Sequence, residues 1–377
     1  MKKESANNKK RILIVGAFPN QNHKPMFGGM ITTCKILLES NFSKKFKIIK
    51  LNSTSFTTPP PNLFNRSMLA GIRLIKFFFK TIYKQPHVII IFVADQYSAL
   101  EKGLMILIGK FFYKKIMVFP RAGLLIVQYF ENSLIKNYIK FTFSKADIFL
   151  SQGKSFQEFA IRELNFSSTT APIIPNWTAN PNHLYLGSTR NYLINKPTPK
   201  ILFLGWLEDF KGVKEILEGV LVLKRKNYDF HLIFAGEGTC KSYTNEFINK
   251  NNLNEYISLA GWVNEERKLE LLRKSNIFIL PSWNEGFPNA LIEAMSSGLA
   301  CIVSSVGNIP DFVKNNHNCL LIKPKSVKEI VISLEKLLKD SKFRQQIAQN
   351  GYLYANSNFT ADYGLELLSK EIKKISH

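Results

Sequence analysis

Acidic side chains are scarce in the first half of this sequence and ordinary in the second. Residues 1–180 carry 26 Lys and Arg against 8 Asp and Glu, a balance of +18, while the rest carry 25 against 20, a balance of +5. A general drift toward Lys does not explain an acid deficit confined to one half. A surface of one sign attracts a partner of the other: a membrane surface, a lipid phosphate or a nucleic acid. Long apolar runs are missing too. The best, residues 103–109, is fenced by Lys102 and Lys110 and falls far short of the roughly 20 residues that cross a bilayer. Behind a basic start, residues 1–11, the apolar stretch 12–17 is too short for a secretory signal core and reads as a strand. Cysteine is limited to Cys34, Cys240, Cys301 and Cys319 without CxxC spacing. That excludes a disulfide framework and fits buried thiols in a reducing cytoplasm. The six histidines, His23, His87, His183, His231, His317 and His377, form no metal or triad pattern, and no Asp-x-Asp pair stands out. No metal is therefore expected. Hydrophobic residues make up 45% of the chain, which argues against disorder.

What is present is a regular alternation of strands and helices, the pattern of parallel sheets covered on both faces. Strands are expected at 11–18, 47–52, 87–93, 115–119 and 147–151, with helices near 29–40, 64–84, 98–113 and 132–143. A polar, Pro- and Asn-containing stretch, 175–200, reads as a linker. Strands then resume at 200–206, 229–235, 256–260, 276–282, 300–304 and 319–322. Helices are expected at 213–226, 241–251, 264–274, 327–339, 342–356 and 361–375. The expected class is α/β, with two Rossmann-like doubly wound domains facing a ligand cleft. Their boundaries are placed at 1–185 and 186–360, with 361–377 as a closing helix.

Residues 281–298 read Pro-Ser-Trp-Asn-Glu-Gly-Phe-Pro-Asn-Ala-Leu-Ile-Glu-Ala-Met-Ser-Ser-Gly. Glu285 follows a strand in a loop, and Glu293 lies on the next helix, which Pro288 and Asn289 start. Were the span between the acids all helical it would cover about 12 Å, roughly a nucleotide diphosphate-sugar from sugar to ribose. The helix start between them offers backbone N–H groups to a pyrophosphate. One carboxylate can then accept from sugar hydroxyls and the other from ribose hydroxyls. A lone Glu is more often a solvated charge; the spacing around Gly286, Phe287 and Pro288 is what sets these two apart.

This stretch resembles the Glu-x7-Glu motif of retaining nucleotide-sugar glycosyltransferases with the GT-B fold, family 4 in particular. The likeness covers most of the chain and is strongest over residues 200–324. It implies that Glu285 orients the donor sugar, that Glu293 binds ribose, and that residues 286–289 cradle the diphosphate. It implies a nucleotide diphosphate-sugar as substrate, no required cofactor, and a closing helix that returns to the first domain.

Residues 204–212 are similar to the family's Gly-Arg-Leu…Lys-Gly segment, with Lys211 placed to meet the leaving diphosphate. The sequence departs from the family at Trp206, where many members have Arg. Gly28 and Gly29 open a helix after the first strand, a place where backbone approaches phosphate closely. Gly236 reads as shaping a strand exit. Trp262, on the loop expected to flank the donor base, is open between stacking and packing. The first domain lacks the family's cleft His. Its fourth strand ends in Pro120-Arg121-Ala122-Gly123, which places Arg121 at the cleft to hold a phosphate or an acceptor oxygen.

Arg66, Arg73, Lys76, Lys80 and Lys84 fall on one stripe at 100° per residue, with Leu69, Ile72, Ile75 and Phe79 on the remaining surface. That is a basic amphipathic helix suited to an anionic bilayer, or a Rossmann-side helix with a solvated face. The reading is a cytoplasmic glycosyltransferase, peripheral on the inner face of the membrane. It would act on a glycan or polyprenyl-linked acceptor in surface polysaccharide assembly. The alternatives are a GT-B nucleotide-sugar epimerase and a non-catalytic nucleotide-sugar-binding protein. Nucleic acid is not an expected partner, since the basic residues form no reading module.

Overall fold

Val88–Val93 reads Val-Ile-Ile-Ile-Phe-Val and is buried along its whole length, the composition of a strand covered on both faces. In the computed structural model it is the middle strand of the first of two parallel sheets. The structure describes residues 9–18, 28–54, 62–94, 96–190 and 198–376, so His23 and His377 lie outside it.

The first sheet holds β1 (Arg11–Gly16), β2 (Lys47–Asn52), β3 (Val88–Val93), β4 (Lys115–Pro120) and β5 (Ile148–Phe149) in the order β2-β1-β3-β4-β5. Every neighbouring pair is parallel. Period-2 alternation divides its apolar residues between two faces. Ile12, Ile14, Val88 and Ile90 pack on one, and Leu13, Val15, Ile89 and Ile91 on the other. The second sheet holds β6 (Lys200–Leu204), β7 (His231–Ala235), β8 (Ile257–Gly261), β9 (Ile277–Leu280), β10 (Ala300–Ser304) and β11 (Leu320–Ile322) in the order β11-β10-β9-β6-β7-β8. It too is parallel throughout. All eleven expected strands form.

In the second sheet the chain winds outward from β6 through β7 to β8, then restarts on the other side of β6 with β9. Where winding reverses, the two loops leaving the strand ends diverge and open a crevice at the carboxyl edge. The loops that follow β6 and β9 carry Lys211 and Glu285. The first sheet reverses in the same way beside β1, whose outgoing segment leads to Gly28 and Gly29.

The chain divides into two compact units, 1–177 with 361–377, and 178–360. The sequence places this boundary at 185/186 and reads 175–200 as linker. Its opening residues are instead structural. Trp177 is buried in the first unit and donates from Nε1 to Thr33 O at 3.2 Å. A helix, Pro181–Ser188, follows at once in the second unit. Its start was legible: the Asn180 side chain accepts from the His183 N–H, with Pro181 in the first turn. Four other helices outside the expected set also form: Phe42–Lys45, Leu124–Glu131, Lys154–Leu164 and Ile309–Phe312. The closing helix Ala361–Ile375 lays Leu365, Leu368 and Ile372 on the Ile12 face of the first sheet.

Candidate functional site

The two loops at the reversal of the second sheet are stitched together by backbone. The Trp283 N–H donates to Phe210 O at 2.7 Å. Gly212 sits at φ 74°, and a Cβ there would lie 2.4 Å from Pro281 O, so only glycine allows this approach. Lys211, one residue earlier, is thereby fixed beside the loop after β9. Its Nζ donates to Glu285 Oε1 at 2.6 Å, and Ser282 Oγ donates to the same oxygen at 2.7 Å. Lys211 and Glu285, chosen separately from sequence, thus touch, and both are largely buried. Ser282 escaped the sequence reading, although its position three residues before Glu285 was available. The Gly286 carbonyl accepts from the Asn308 N–H at 2.9 Å, which anchors the turn.

The next helix, Asn289–Ser296, begins at Pro288 without a side-chain cap. Phe287 departs from expectation at the level of its side chain. The ring is buried against Phe312 and Phe359, with centroids 4.6 and 5.1 Å away.

Glu293 is 5% exposed on this helix. Lys268, on the helix Glu265–Lys274, donates from Nζ to Glu293 Oε1 at 2.9 Å and lies 2.9 Å from Glu265 Oε2. Burial pulls the Lys268 pKa down, but the two carboxylates outweigh it and the net shift is upward. His183 is buried nearby, its Nε2 3.5 Å from Glu265 Oε1, with no hydrogen bond on either ring nitrogen among the described residues. Burial holds its pKa below the ordinary value. Lys268 and His183 were missed: each meets its partners across separate elements, which no local spacing announces.

At the ends of β6 and β8, Trp206 and Trp262 lean on one another with ring centroids 5.6 Å apart. Both stay half-exposed. Between them Gly236 touches backbone; a Cβ there would lie 1.8 Å from Gly205 O. The glycine shapes a strand exit, as its sequence context suggests. Among the described residues no three His, Cys, Asp or Glu side chains gather as metal ligands.

In the first unit, Gly28 precedes the helix Gly29–Glu39, and a Cβ on it would meet nothing within 4 Å. Arg121 corrects its expectation. Rather than presenting its head outward, it turns the guanidinium into an aromatic cage. The carbon centre lies 4.7 Å from the Phe119 ring, 5.4 Å from Trp177 and 5.8 Å from Phe92. Nη2 donates to Thr33 Oγ1 at 3.0 Å, while Nη1 is buried without a partner among the described residues. Burial lowers the Arg121 pKa to about 9.

The helix Leu63–Lys84 buries only Phe77 and Thr81. Phe64 is 77% exposed and Tyr83 74%, and Met68, Ile72, Ile75 and Phe79 are exposed with them. One member leaves the expected basic stripe. Arg73 is held by Glu101, Nε to Oε1 at 2.7 Å and Nη2 to Oε2 at 2.8 Å. Lys76 and Lys80 line a groove with Lys50.

Residues 188–354 match the family model described as "Glycosyl transferases group 1". The N,N'-diacetylbacillosaminyl-diphospho-undecaprenol alpha-1,3-N-acetylgalactosaminyltransferase of Campylobacter jejuni is 28% identical over 261 residues, 66% of this chain. This chain spans 66% of that relative's own length, just under two thirds. Among solved structures, the sucrose-phosphate synthase of Thermosynechococcus elongatus superposes with a TM-score of 0.70 at 15% identity. The match covers 97% of this chain and 99% of that one. Anabaena HepE in complex with UDP-glucose gives 0.69 at 14% identity, over 97% and 99%. These likenesses bear out the expected GT-B fold, with its two parallel-sheet α/β domains.

Proposed function

We propose that this chain, whose residues 188–354 match the group 1 glycosyltransferase family model, belongs to that family and moves a sugar from a nucleotide diphosphate-sugar to a lipid-linked glycan acceptor, with retention of anomeric configuration. The observation that carries the proposal is the contact of Lys211 with Glu285 at the sheet reversal, 2.6 Å between charged groups. Lys211 and Ser282 hold one oxygen of Glu285, which leaves the other to accept from a donor-sugar hydroxyl. When the bond from the anomeric carbon to the phosphate oxygen breaks, negative charge grows on the diphosphate. Lys211 and the start of Asn289–Ser296 stand ready to offset it. The acceptor hydroxyl forms the new bond from the same face and gives its proton to the departing phosphate oxygen. Glu293 takes the ribose hydroxyls.

The printed name of the Campylobacter relative, which carries a diphospho-undecaprenol acceptor, supports the lipid-linked class, and HepE with UDP-glucose supports the donor class. The exposed aromatic and lysine surface of Leu63–Lys84 supports a place on an anionic membrane face in the cytoplasm. Surface polysaccharide assembly is the process such a reaction serves.

The test is thermal stabilisation against a panel of nucleoside diphosphates and their sugars, followed by transfer assays. A ligand that binds only the folded state raises the melting temperature. One base and sugar should do so selectively, and Glu285→Ala should abolish transfer while the fold survives. Near-normal transfer by Glu285→Ala would end the assignment. Product made from donor alone, without nucleotide release, would point to an epimerase instead.

A further inference from the structure

We propose that Lys268 is a positioning residue for the donor's ribose, acting through Glu293. This rests on the reading of Glu293 as the ribose acceptor and adds what sets that carboxylate's charge and direction. A carboxylate as enclosed as Glu293 is costly unless a cation pairs with it. Lys268 is that cation, 2.9 Å from Oε1, and its own side chain is only 12% exposed. No other cation lies within 4.0 Å of Glu293 among the described residues' ion pairs.

The charged and titratable groups of the cluster come from three helices. Glu265 and Lys268 lie on Glu265–Lys274, Glu293 on Asn289–Ser296, and His183 on Pro181–Ser188. His183 is enclosed, and burial holds its pKa below the ordinary value. Lys268 divides itself between Glu293 and Glu265, and the Glu265 side chain is the exposed one of the two. The arrangement has a chemical consequence. An ionised Glu293 only accepts hydrogen bonds, which suits two donating hydroxyls of a ribose. With Oε1 tied to Lys268, the carboxylate plane is fixed and its remaining lone pairs are aimed. Without Lys268 the buried carboxylate would lose its ion pair and be free to turn, so its oxygens would no longer be aimed at the ribose.

The experiment titrates the whole chain with uridine and guanosine diphosphates and with their 2′,3′-dideoxy forms. The wild type should prefer the ribose form by about tenfold or more. Lys268→Met should lose most of that preference. Lys268→Arg should restore it, and in Lys268→Met kcat at saturating donor should change less than KM. Lys268→Gln, a milder change that keeps a donor without charge, should fall between and covers the case in which the Met variant does not fold. A folded Lys268→Met or Lys268→Gln variant with full preference overturns the role of Lys268. Full preference in Glu293→Ala overturns the ribose reading beneath it, as would a wild type that binds neither nucleotide.

Discussion

His183 is the residue whose environment departs most from its sequence prospects. Enclosure by protein disfavours the charged form of an imidazole. Its folded pKa lies below the ordinary 6.5, so below that pH the unfolded chain binds more protons than the folded one. Stability is therefore held above pH 6.5 and lost as pH falls beneath it. The melting temperature should drop between pH 6.5 and pH 5, and His183→Leu should flatten that slope. An unchanged slope would assign the titration to another group. A second residue-scale expectation concerns Lys211. Lys211→Ala leaves Glu285 with Ser282 alone, so kcat should fall about a hundredfold or more, and the melting temperature should fall too, since a largely buried carboxylate loses its cation. Steady-state kinetics beside a thermal melt would read both. At this scale the sequence reveals the whole of one pair and half of the other. Glu285 and Glu293 announce themselves by spacing, and Lys211 by its place before Gly212. Lys268 does not, because the contact spans 25 positions between two helices. Arg121 could be placed at a strand end but not aimed, since its direction is set by three rings from β3, β4 and Trp177.

Among the elements, strands were the most legible, because a parallel strand covered on both faces must be an unbroken apolar run. Helix Leu63–Lys84 was legible in period and in charge. Its burial was not, since periodicity says which residues share a face and leaves open what covers that face. Glu101 decides the difference for Arg73. Its side chain is 6% exposed, beside a Lys102 that is 2% exposed. Burial pushes the Glu101 pKa up, and Arg73 with Lys102 more than reverses it, leaving it below the ordinary value. Glu101→Ala would take the shared carboxylate from Arg73 and Lys102 and should cost about 3–5 kcal/mol, measurable by denaturant unfolding. For the same reason a test of the basic surface should spare Arg73. Changing Lys76, Lys80 and Lys84 together to Glu should weaken pelleting with anionic liposomes without a comparable loss of stability. Undiminished pelleting would remove this helix from the membrane face.

For the molecule as a whole, the charge imbalance of +18 against +5 follows the sequence halves, and the first half supplies most of the first unit. Any attraction to an anionic surface should then reside in that unit and weaken as salt rises. The chain passes from the first unit to the second after Trp177 and returns after Thr360. Translation proceeds in one direction, so the apolar face that Leu365, Leu368 and Ile372 cover stays open while nearly two hundred intervening residues are made. Nascent first units are for that interval clients for a chaperone, and the second unit can finish folding before the first does. A fragment ending at Trp177 should accordingly bind a hydrophobic dye that a supplied peptide of residues 361–376 displaces.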